Sequence, residues 1–461
     1  MHTPLLIENG TLLTLGEKPA VLANHSVLVE NGWITRIAPK GRIRSFTGKR
    51  LDATGKLVLP GFINAHTHLY STFARGLTRT RPANDFVHVL KNLWWRLDSA
   101  LTVEDCYYSA LISLIESIRH GTTTVIDHHA SPGAVLGSLN TIERAVRETG
   151  LRACLCYELS DRDGSLIANQ GLSENYSFIR LRKSRASGVE GAEEQAPAAP
   201  DTRPNPTLAA LFGLHAAFTL KDSTLARAAF FGTQLQTGFH IHVAEAKSDQ
   251  SFSRAHHGRT VVERLAKFGI LGPQTIAAHC VHVSRKEIGI LAETGTMVVH
   301  NPQSNMNNAV GIADVIGLSR RGVLVGLGTD AMTTNMLEEL RVALWAQHLA
   351  SSNPSSGFSE TTAALFRNNS KIAQRIFQFP LGKLREGFAA DIVLLDYDPP
   401  TPLTRDNCLG HLVFGASQAA VDTTIVGGRI LMEQKRLTLG IDEAQANARA
   451  RELAQKLWKR L

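Results

Sequence analysis

The sequence predicts an α/β protein: a (β/α)8 TIM barrel with a small β-sandwich domain assembled from both chain termini. Three observations predict it. Apolar, β-branched runs alternate with amphipathic segments through the middle of the 461 residues. These runs stop at histidines or carboxylates, and both flanks read instead as short strands and turns. Alternation of helix and buried strand implies parallel pairing, and eight such units form a closed barrel of ~250 residues. A doubly wound open sheet is the alternative, but it does not account for a polar residue at every strand end.

The elements follow in order. Residues 1–58 contain Leu5-Leu6-Ile7-Glu8-Asn9-Gly10 and Val27-Leu28-Val29-Glu30-Asn31-Gly32, read as two short strands ending in Asn-Gly turns. The barrel is assigned to 59–383. Its first strand ends at His66, and the others are expected at 122–127, 151–158, 208–214, 239–243, 275–278, 296–300 and 323–328. Gly121, Gly150 and Gly238 each sit between an amphipathic segment and a strand, and Gly269, Gly295 and Gly322 mark later helix ends. Glycine is favoured there because it takes the left-handed conformation without steric cost. Ser284 with Glu287 has the spacing of a capping box. Residues 184–206, rich in Ala, Pro, Glu and Gly, read as a low-complexity surface insertion. The basic run from Arg180 to Arg185 reads as a solvated helix face. Residues 384–440 return to strand and turn and are paired with 1–58 as one composite β domain, while 441–461 reads as a terminal amphipathic helix.

Composition narrows the function classes. The 43% hydrophobic residues lie in short runs, none near the ~18 consecutive apolar residues that span a bilayer. Met1-His2-Thr3-Pro4 shows no basic segment followed by an apolar one, so no secretory signal is expected. Five cysteines without a Cys-x-x-Cys fit neither a disulfide framework nor a zinc ribbon. The expectation is a soluble cytoplasmic protein with reduced thiols. A net charge of +8 could suit an acidic partner, but the one dense basic run, Arg180 to Arg185, has no interleaved aromatics of the kind found on a nucleic-acid surface. A small-molecule substrate is expected, with neither nucleic acid nor membrane as partner.

The chemistry lies at the strand ends, where His66/His68, Asp127/His128, Glu158, His215, His242, His279, His300 and Asp330 fall. Active sites of such barrels are built at this face. Residues two apart on a strand share a face, so His66 and His68 converge. His242 and Asp330 complete a candidate metal shell with an open position for water. His240, two residues deeper on the same strand as His242, is a rival ligand. Glu245, three residues past His242, is placed as a general acid/base. His279 is placed to contact the attacking water or the oxyanion, and Asp330 to accept a proton while holding the metal.

Pro60-Gly61-Phe62-Ile63-Asn64-Ala65-His66-Thr67-His68, His242-Val243-Ala244-Glu245, Ala278-His279-Cys280, His300-Asn301-Pro302-Gln303-Ser304-Asn305-Met306 and Gly328-Thr329-Asp330 together resemble the amidohydrolase superfamily in its mononuclear deaminase branch. Within that branch, Leu93-Trp94-Trp95-Arg96-Leu97-Asp98, Asp127-His128-His129-Ala130-Ser131-Pro132 and Ser160-Asp161-Arg162-Asp163-Gly164 are most similar to the SsnA aminohydrolase group. The resemblance to methylthioadenosine/S-adenosylhomocysteine deaminases is more distant. It implies metal ligation by His66, His68, His242 and Asp330, proton shuttling by Glu245, water or intermediate contact by His279, and substrate contact by His215. Adenosine-deaminating relatives carry a glutamate for the ribose where this chain has Asp98, a departure from a nucleoside pocket. Dinuclear relatives carry a bridging lysine at the fourth strand's end, where this chain reads Gly213-Leu214-His215-Ala216. One divalent ion is therefore expected, zinc with iron as the alternative, and by analogy a homodimer.

The expected reaction is hydrolytic deamination of an amino-substituted, purine- or pyrimidine-like heterocycle with release of ammonia. Glu245 discriminates, because expelling ammonia requires a proton donor. Hydrolysis of a cyclic amide or chloro-substituted ring on the same metal site is the alternative. A non-catalytic barrel scaffold predicts a degraded ligand set, and this set is complete.

Overall fold

The computed structural model describes residues 3–78, 81–187 and 205–461, and they form the α/β barrel that the sequence predicts. The barrel strands are Phe62–Thr67, Thr122–Asp127, Arg152–Leu155, Leu208–Ala210, Phe212–Ala216, Phe239–Val243, Ile276–His279, Met297–His300 and Val325–Leu327. The first four pair in one parallel sheet and the last five in another. Isolated parallel bridges join the two sheets at both margins, Thr67 with Asp330 and Leu159 with Leu214. At the first margin the backbone N–H groups of Thr329 and Asp330 both donate to the carbonyl of His66 at 3.0 Å. The segment expected as one strand at 208–214 is instead divided at Leu211. There the chain changes partner, from Arg152–Leu155 to Phe239–Val243.

Strand alternation decides which side chains meet in the middle. His240, Ile276 and Met297 are register partners on adjacent parallel strands and share the inward face. Phe239, Ile241 and Val243 point the other way, into a cluster with Leu225, Ala228, Val262 and Leu265. Beneath the histidines, Ile126, Cys154, Ile276 and Met297 belong to a separate apolar cluster. The barrel therefore has a dry floor and a polar mouth.

The helix ends agree with the glycine pattern at Gly121, Gly150, Gly269, Gly295 and Gly322, all at φ between 67° and 81°. Gly238 departs from it: φ there is not positive, and a Cβ would lie 2.2 Å from the Gln274 carbonyl. Close passage of two chain segments, rather than a helix cap, requires that glycine. Both arms of the Ser284–Glu287 capping box are present.

The terminal segments share one nine-stranded sheet. Its two halves meet where Lys56–Pro60 pairs antiparallel with Ile392–Asp396, in register from Ile392 with Pro60 to Asp396 with Lys56. Leu5, Ile7, Val27, Val58, Ile392, Leu394 and Ile425 form a common core, so each flank supplies part of what the other must bury. Asn31-Gly32, at φ 51° and 82°, is the expected two-residue turn with both central residues left-handed. Asn9-Gly10 is a correction. The strand Leu5–Leu13 runs straight through it, and Asn9 at φ 66° marks a bulge where the pairing register shifts. The basic run is corrected at one residue: Arg180 and Lys183 are exposed as expected, but Arg182 is turned against Glu143 at 2.6 Å and over the Phe178 ring rather than solvated. The reason is that Glu143 is itself largely buried and needs a counter-charge.

A final helix, Glu443–Arg460, N-capped by Asp442, packs on the helix Val103–Arg119. Of the insertion expected at 184–206, residues 188–204 lie outside the described residues. Among the described residues no helix is long and apolar enough to cross a membrane.

Candidate active site

The strand Phe62–Thr67 delivers His66 and, one residue past its end, His68; Phe239–Val243 delivers His242; and Asp330 follows Val325–Leu327 by three residues. Parallel pairing brings these ends to one level. Nε2 of His68 lies 3.0 Å from Asp330 Oδ1 and 3.3 Å from Nε2 of His242. Nε2 of His66 is 3.9 Å from Asp330 Oδ1, buried and without a hydrogen-bond partner. Ligand atoms of His66, His68, His128 and His242 fall within 4.8 Å of one another, as do those of His66, His279 and Asp330.

The outer nitrogens explain which way the rings face. His68 Nδ1 donates to the backbone carbonyl of His128, and His242 Nδ1 to that of His215 at 2.9 Å. A neutral imidazole has one N–H, so with Nδ1 donating, both Nε2 lone pairs point inward. Two such lone pairs 3.3 Å apart beside a carboxylate repel unless a cation lies among them, a proton on His68 or a metal ion that displaces it. This donor set, three imidazoles and one carboxylate oxygen, suits a zinc-type ion, and donation from the outer nitrogen is the usual support of a ligating histidine.

Glu245, His279 and Asp330 form the second part of the site. Nε2 of His279 faces Glu245 Oε2 at 3.5 Å and Asp330 Oδ2 at 3.6 Å. Asn305 donates to Nδ1 of His279 at 2.8 Å, which leaves the hydrogen on Nε2, aimed at both carboxylates. Burial, followed by the carboxylates of Asp330 and Asp249, pushes the Glu245 carboxyl well above its ordinary 4.5. Burial acts in the same direction on Asp330, but the surrounding imidazoles, His68 first, outweigh it and hold that group below its ordinary value. Two carboxyls in one cavity are thus driven apart, one kept as an acid and the other as an anion. The Glu245 backbone is fixed by Asp249, whose carboxylate accepts its N–H at 2.9 Å.

The backbone at these strand ends is itself unusual. Ala244, His279, Cys280 and Asp330 all have φ between 47° and 71°. Left-handed conformations of non-glycine residues cost free energy and cluster where a side chain must be aimed.

Toward solvent the cavity is lined by Tyr70, Trp94, Trp95, Asp98, Arg162 and His215, among others. His215 and Asp98 are therefore in the pocket, but Asp98 is engaged: it takes Arg162 Nη2 at 2.5 Å, and the guanidinium lies 5.3 Å above the Trp95 ring. The sequence motif around Arg162 was visible, yet its pairing with Asp98 across 64 positions was not. Glu158 is the other residue whose role sequence reasoning missed. Its carboxylate meets His68 Nδ1 at 3.2 Å, His128 Nδ1 at 3.5 Å and His215 Nε2 at 3.8 Å. Burial favours its neutral form, but the imidazoles of His68 first, then His215 and His242, hold it down to about 2. Its place at a strand end was the only available signal.

Similarity to known proteins agrees with this geometry. The model of the amidohydrolase family matches residues 57–431. The chain belongs to the amidohydrolase family. This amidohydrolase is 33% identical to a 5-methylthioadenosine/S-adenosylhomocysteine deaminase of Carboxydothermus hydrogenoformans, over 98% of each chain. It is 30% identical to a 5'-deoxyadenosine deaminase of Methanosarcina mazei, over 99% of each. Among solved structures, an adenosine deaminase from Xanthomonas campestris with bound zinc superposes at a TM-score of 0.83 with 23% identity, covering 98% of both chains. Atrazine chlorohydrolase TrzN from Arthrobacter aurescens superposes at 0.80 with 21% identity, covering 98% of this chain and 100% of that one. At these identities the two structures show the shared fold.

Proposed function

We propose that this amidohydrolase deaminates an amino-substituted nitrogen heterocycle, purine- or pyrimidine-like, by hydrolysis with release of ammonia. The observation that carries this reading is the place of Glu245: a buried carboxyl 3.5 Å from His279 Nε2, in the pocket beside the convergent imidazoles, where burial raises its pKa well above the ordinary value. Expelling an amine from a tetrahedral carbon needs a proton donor at that place. The named activities of the deaminase relatives from Carboxydothermus and Methanosarcina support the same class. Within the family, we place the chain with the SsnA aminohydrolases.

His66, His68, His242 and Asp330 would hold one divalent ion, for which zinc is our assignment and iron the alternative. Bound there, the ion supplies Lewis-acid activation of water and of the carbon under attack. Asp330 stays ionised among the imidazoles and accepts the proton released as water adds. Glu245 gives its proton to a ring nitrogen, then takes the proton of the newly added hydroxyl and passes it to the leaving amine. Nε2–H of His279 donates to the oxygen on which charge develops. Trp94, Trp95 and Tyr70 supply flat apolar walls for an aromatic ring. The Asp98–Arg162 pair and His215 face its far edge.

A panel of amino-substituted purines, pyrimidines and adenosine derivatives, read by ammonia release, tests the proposal. Stoichiometric ammonia from at least one heterocycle supports it. Chloride loss from a halogenated ring, or ring opening without ammonia, would overturn it in favour of the alternative hydrolysis.

A further inference from the structure

We propose that His240 is a positioning residue for His66: it fixes the nitrogen that His66 presents to the metal. The proposal rests on the metal site assigned above. His240 is the rival ligand of the sequence pattern, yet its ring points elsewhere. It is fully buried, and its Nε2 lies 2.8 Å from Nδ1 of His66. Its Nδ1 lies 3.7 Å from the sulfur of Cys156, whose thiol donates in turn to the carbonyl of Asp127 at 3.3 Å. The ring of His128 stacks on it at 4.4 Å with 20° between planes, which fixes its orientation.

The direction of these bonds follows from counting hydrogens. Each neutral imidazole carries one N–H, and exactly one of two nitrogens in a His–His hydrogen bond donates. With the Cys156 thiol hydrogen directed to Asp127, the sulfur is an acceptor, and Nδ1 of His240 is the hydrogen-bearing nitrogen facing it. Nε2 of His240 is then a lone pair and must accept from Nδ1–H of His66. That leaves Nε2 of His66 without hydrogen, and this atom is buried in the site without a hydrogen-bond partner. With the thiol hydrogen on its shorter contact, 3.3 Å to the Asp127 carbonyl against 3.7 Å to His240, the chain through Cys156 and His240 runs in the sense that ends in a metal-facing lone pair.

Comparison among the three candidate ligands sharpens the point. His68 and His242 have their outer nitrogens on backbone carbonyls, which can only accept. The Glu158 carboxylate also lies 3.2 Å from His68 Nδ1, but of the three only His66 has no backbone acceptor at its outer nitrogen and relies wholly on a side chain that can be changed. Without an acceptor at position 240, the hydrogen of His66 is free to move to Nε2, and that tautomer cannot ligate a metal. Outer-shell partners of this kind typically govern affinity by about 10–100-fold.

The test is zinc affinity, measured by chelator competition on the metal-stripped full-length protein, with thermal unfolding of each metal-free variant as the check on folding. His240→Leu should raise the zinc dissociation constant by about 10–100-fold. His240→Gln, whose Oε1 can stand where Nε2 stood, should stay within a few-fold of the unaltered protein. If the leucine variant does not fold, His240→Asn replaces it: the shorter amide cannot reach His66 and should bind at least tenfold more weakly than the glutamine variant. Equal affinity in all variants, or equal losses in the glutamine variant and the others, would overturn the proposal. An unaltered protein that binds no zinc stoichiometrically refutes the metal-site reading itself.

Discussion

Glu245 and His279 face each other across 3.5 Å, carboxyl oxygen to Nε2, with both side chains buried and Asn305 holding the other ring nitrogen of His279 at 2.8 Å. Asn308 reaches the same carboxyl only at 3.3 Å. Under the proposed function this arrangement is read as a proton-transfer pair. Glu245→Gln keeps the size and loses the proton, so kcat should fall by about 10²–10⁴-fold, the usual worth of a general acid/base. Metal content and unfolding temperature should be unchanged. A variant that keeps more than a tenth of the activity would remove Glu245 from the proton path.

Metal binding should be coupled to proton release. Burial lowers the basicity of His68, but the carboxylates of Asp330 and Glu158 outweigh it and hold its pKa well above the ordinary 6.5. In the metal-free protein near neutral pH this ligand therefore carries a proton that an incoming ion must displace. Since the group is protonated below its raised pKa, affinity should rise with pH there, by about tenfold per unit for one proton displaced. Titration calorimetry in buffers of different ionisation enthalpy reads the proton directly. Affinity that stays flat from pH 6 to 8 contradicts the prediction.

Most of the barrel was legible because its signals are local. Glycines just ahead of strands and short apolar, β-branched runs mark most of the strands without reference to anything distant. The candidate ligands were legible for the same reason: His66, His68, His242 and Asp330 each end a strand, and parallel pairing puts strand ends at one level. What was not legible depends on contacts across the chain. Asn9-Gly10 has the composition of a turn, yet pairing of its strand with two neighbours makes it a bulge. Asp98 looked like a free recognition carboxylate until the fold brought Arg162 to it. His240 and His242 are equivalent by spacing, and only the position of His66 and Cys156 tells them apart.

The Asp98–Arg162 pair should make substrate affinity sensitive to mild acid. Burial pushes Asp98 up to about 6, with Arg162 opposing the shift only in part. Below that value the carboxyl becomes neutral and its hold on Arg162 weakens, so KM should rise as pH falls through 6 while kcat changes less. Because the folded value lies above the ordinary 3.8, protonation between the two values favours the folded chain, and the effect should appear without loss of stability. Asp98→Asn should reproduce the high KM at neutral pH and abolish this pH dependence. A pH-independent KM in the unaltered protein contradicts the argument.

Arg152 and Asp391 tie the barrel to the terminal sheet. Both side chains are fully buried, and the pair is bidentate, Nε to Oδ2 at 2.7 Å and Nη2 to Oδ1 at 3.0 Å. The remaining valences are met as well: Arg152 Nη1 donates to the Pro206 carbonyl, and the Gly427 N–H donates to Asp391, each at 2.7 Å. Charges taken out of water are tolerated only when completed in this way, and removing one partner strands the other. Asp391→Ala should therefore cost about 3–5 kcal/mol in denaturant unfolding. Replacing both, as Arg152→Met with Asp391→Leu, removes the stranded charge and should recover part of that loss. Recovery should be incomplete, because the Pro206 carbonyl and the Gly427 N–H lose their partners in the double variant. A single variant within 1 kcal/mol of the parent would show that water reaches the pair and that the junction between barrel and sheet is held by apolar packing alone.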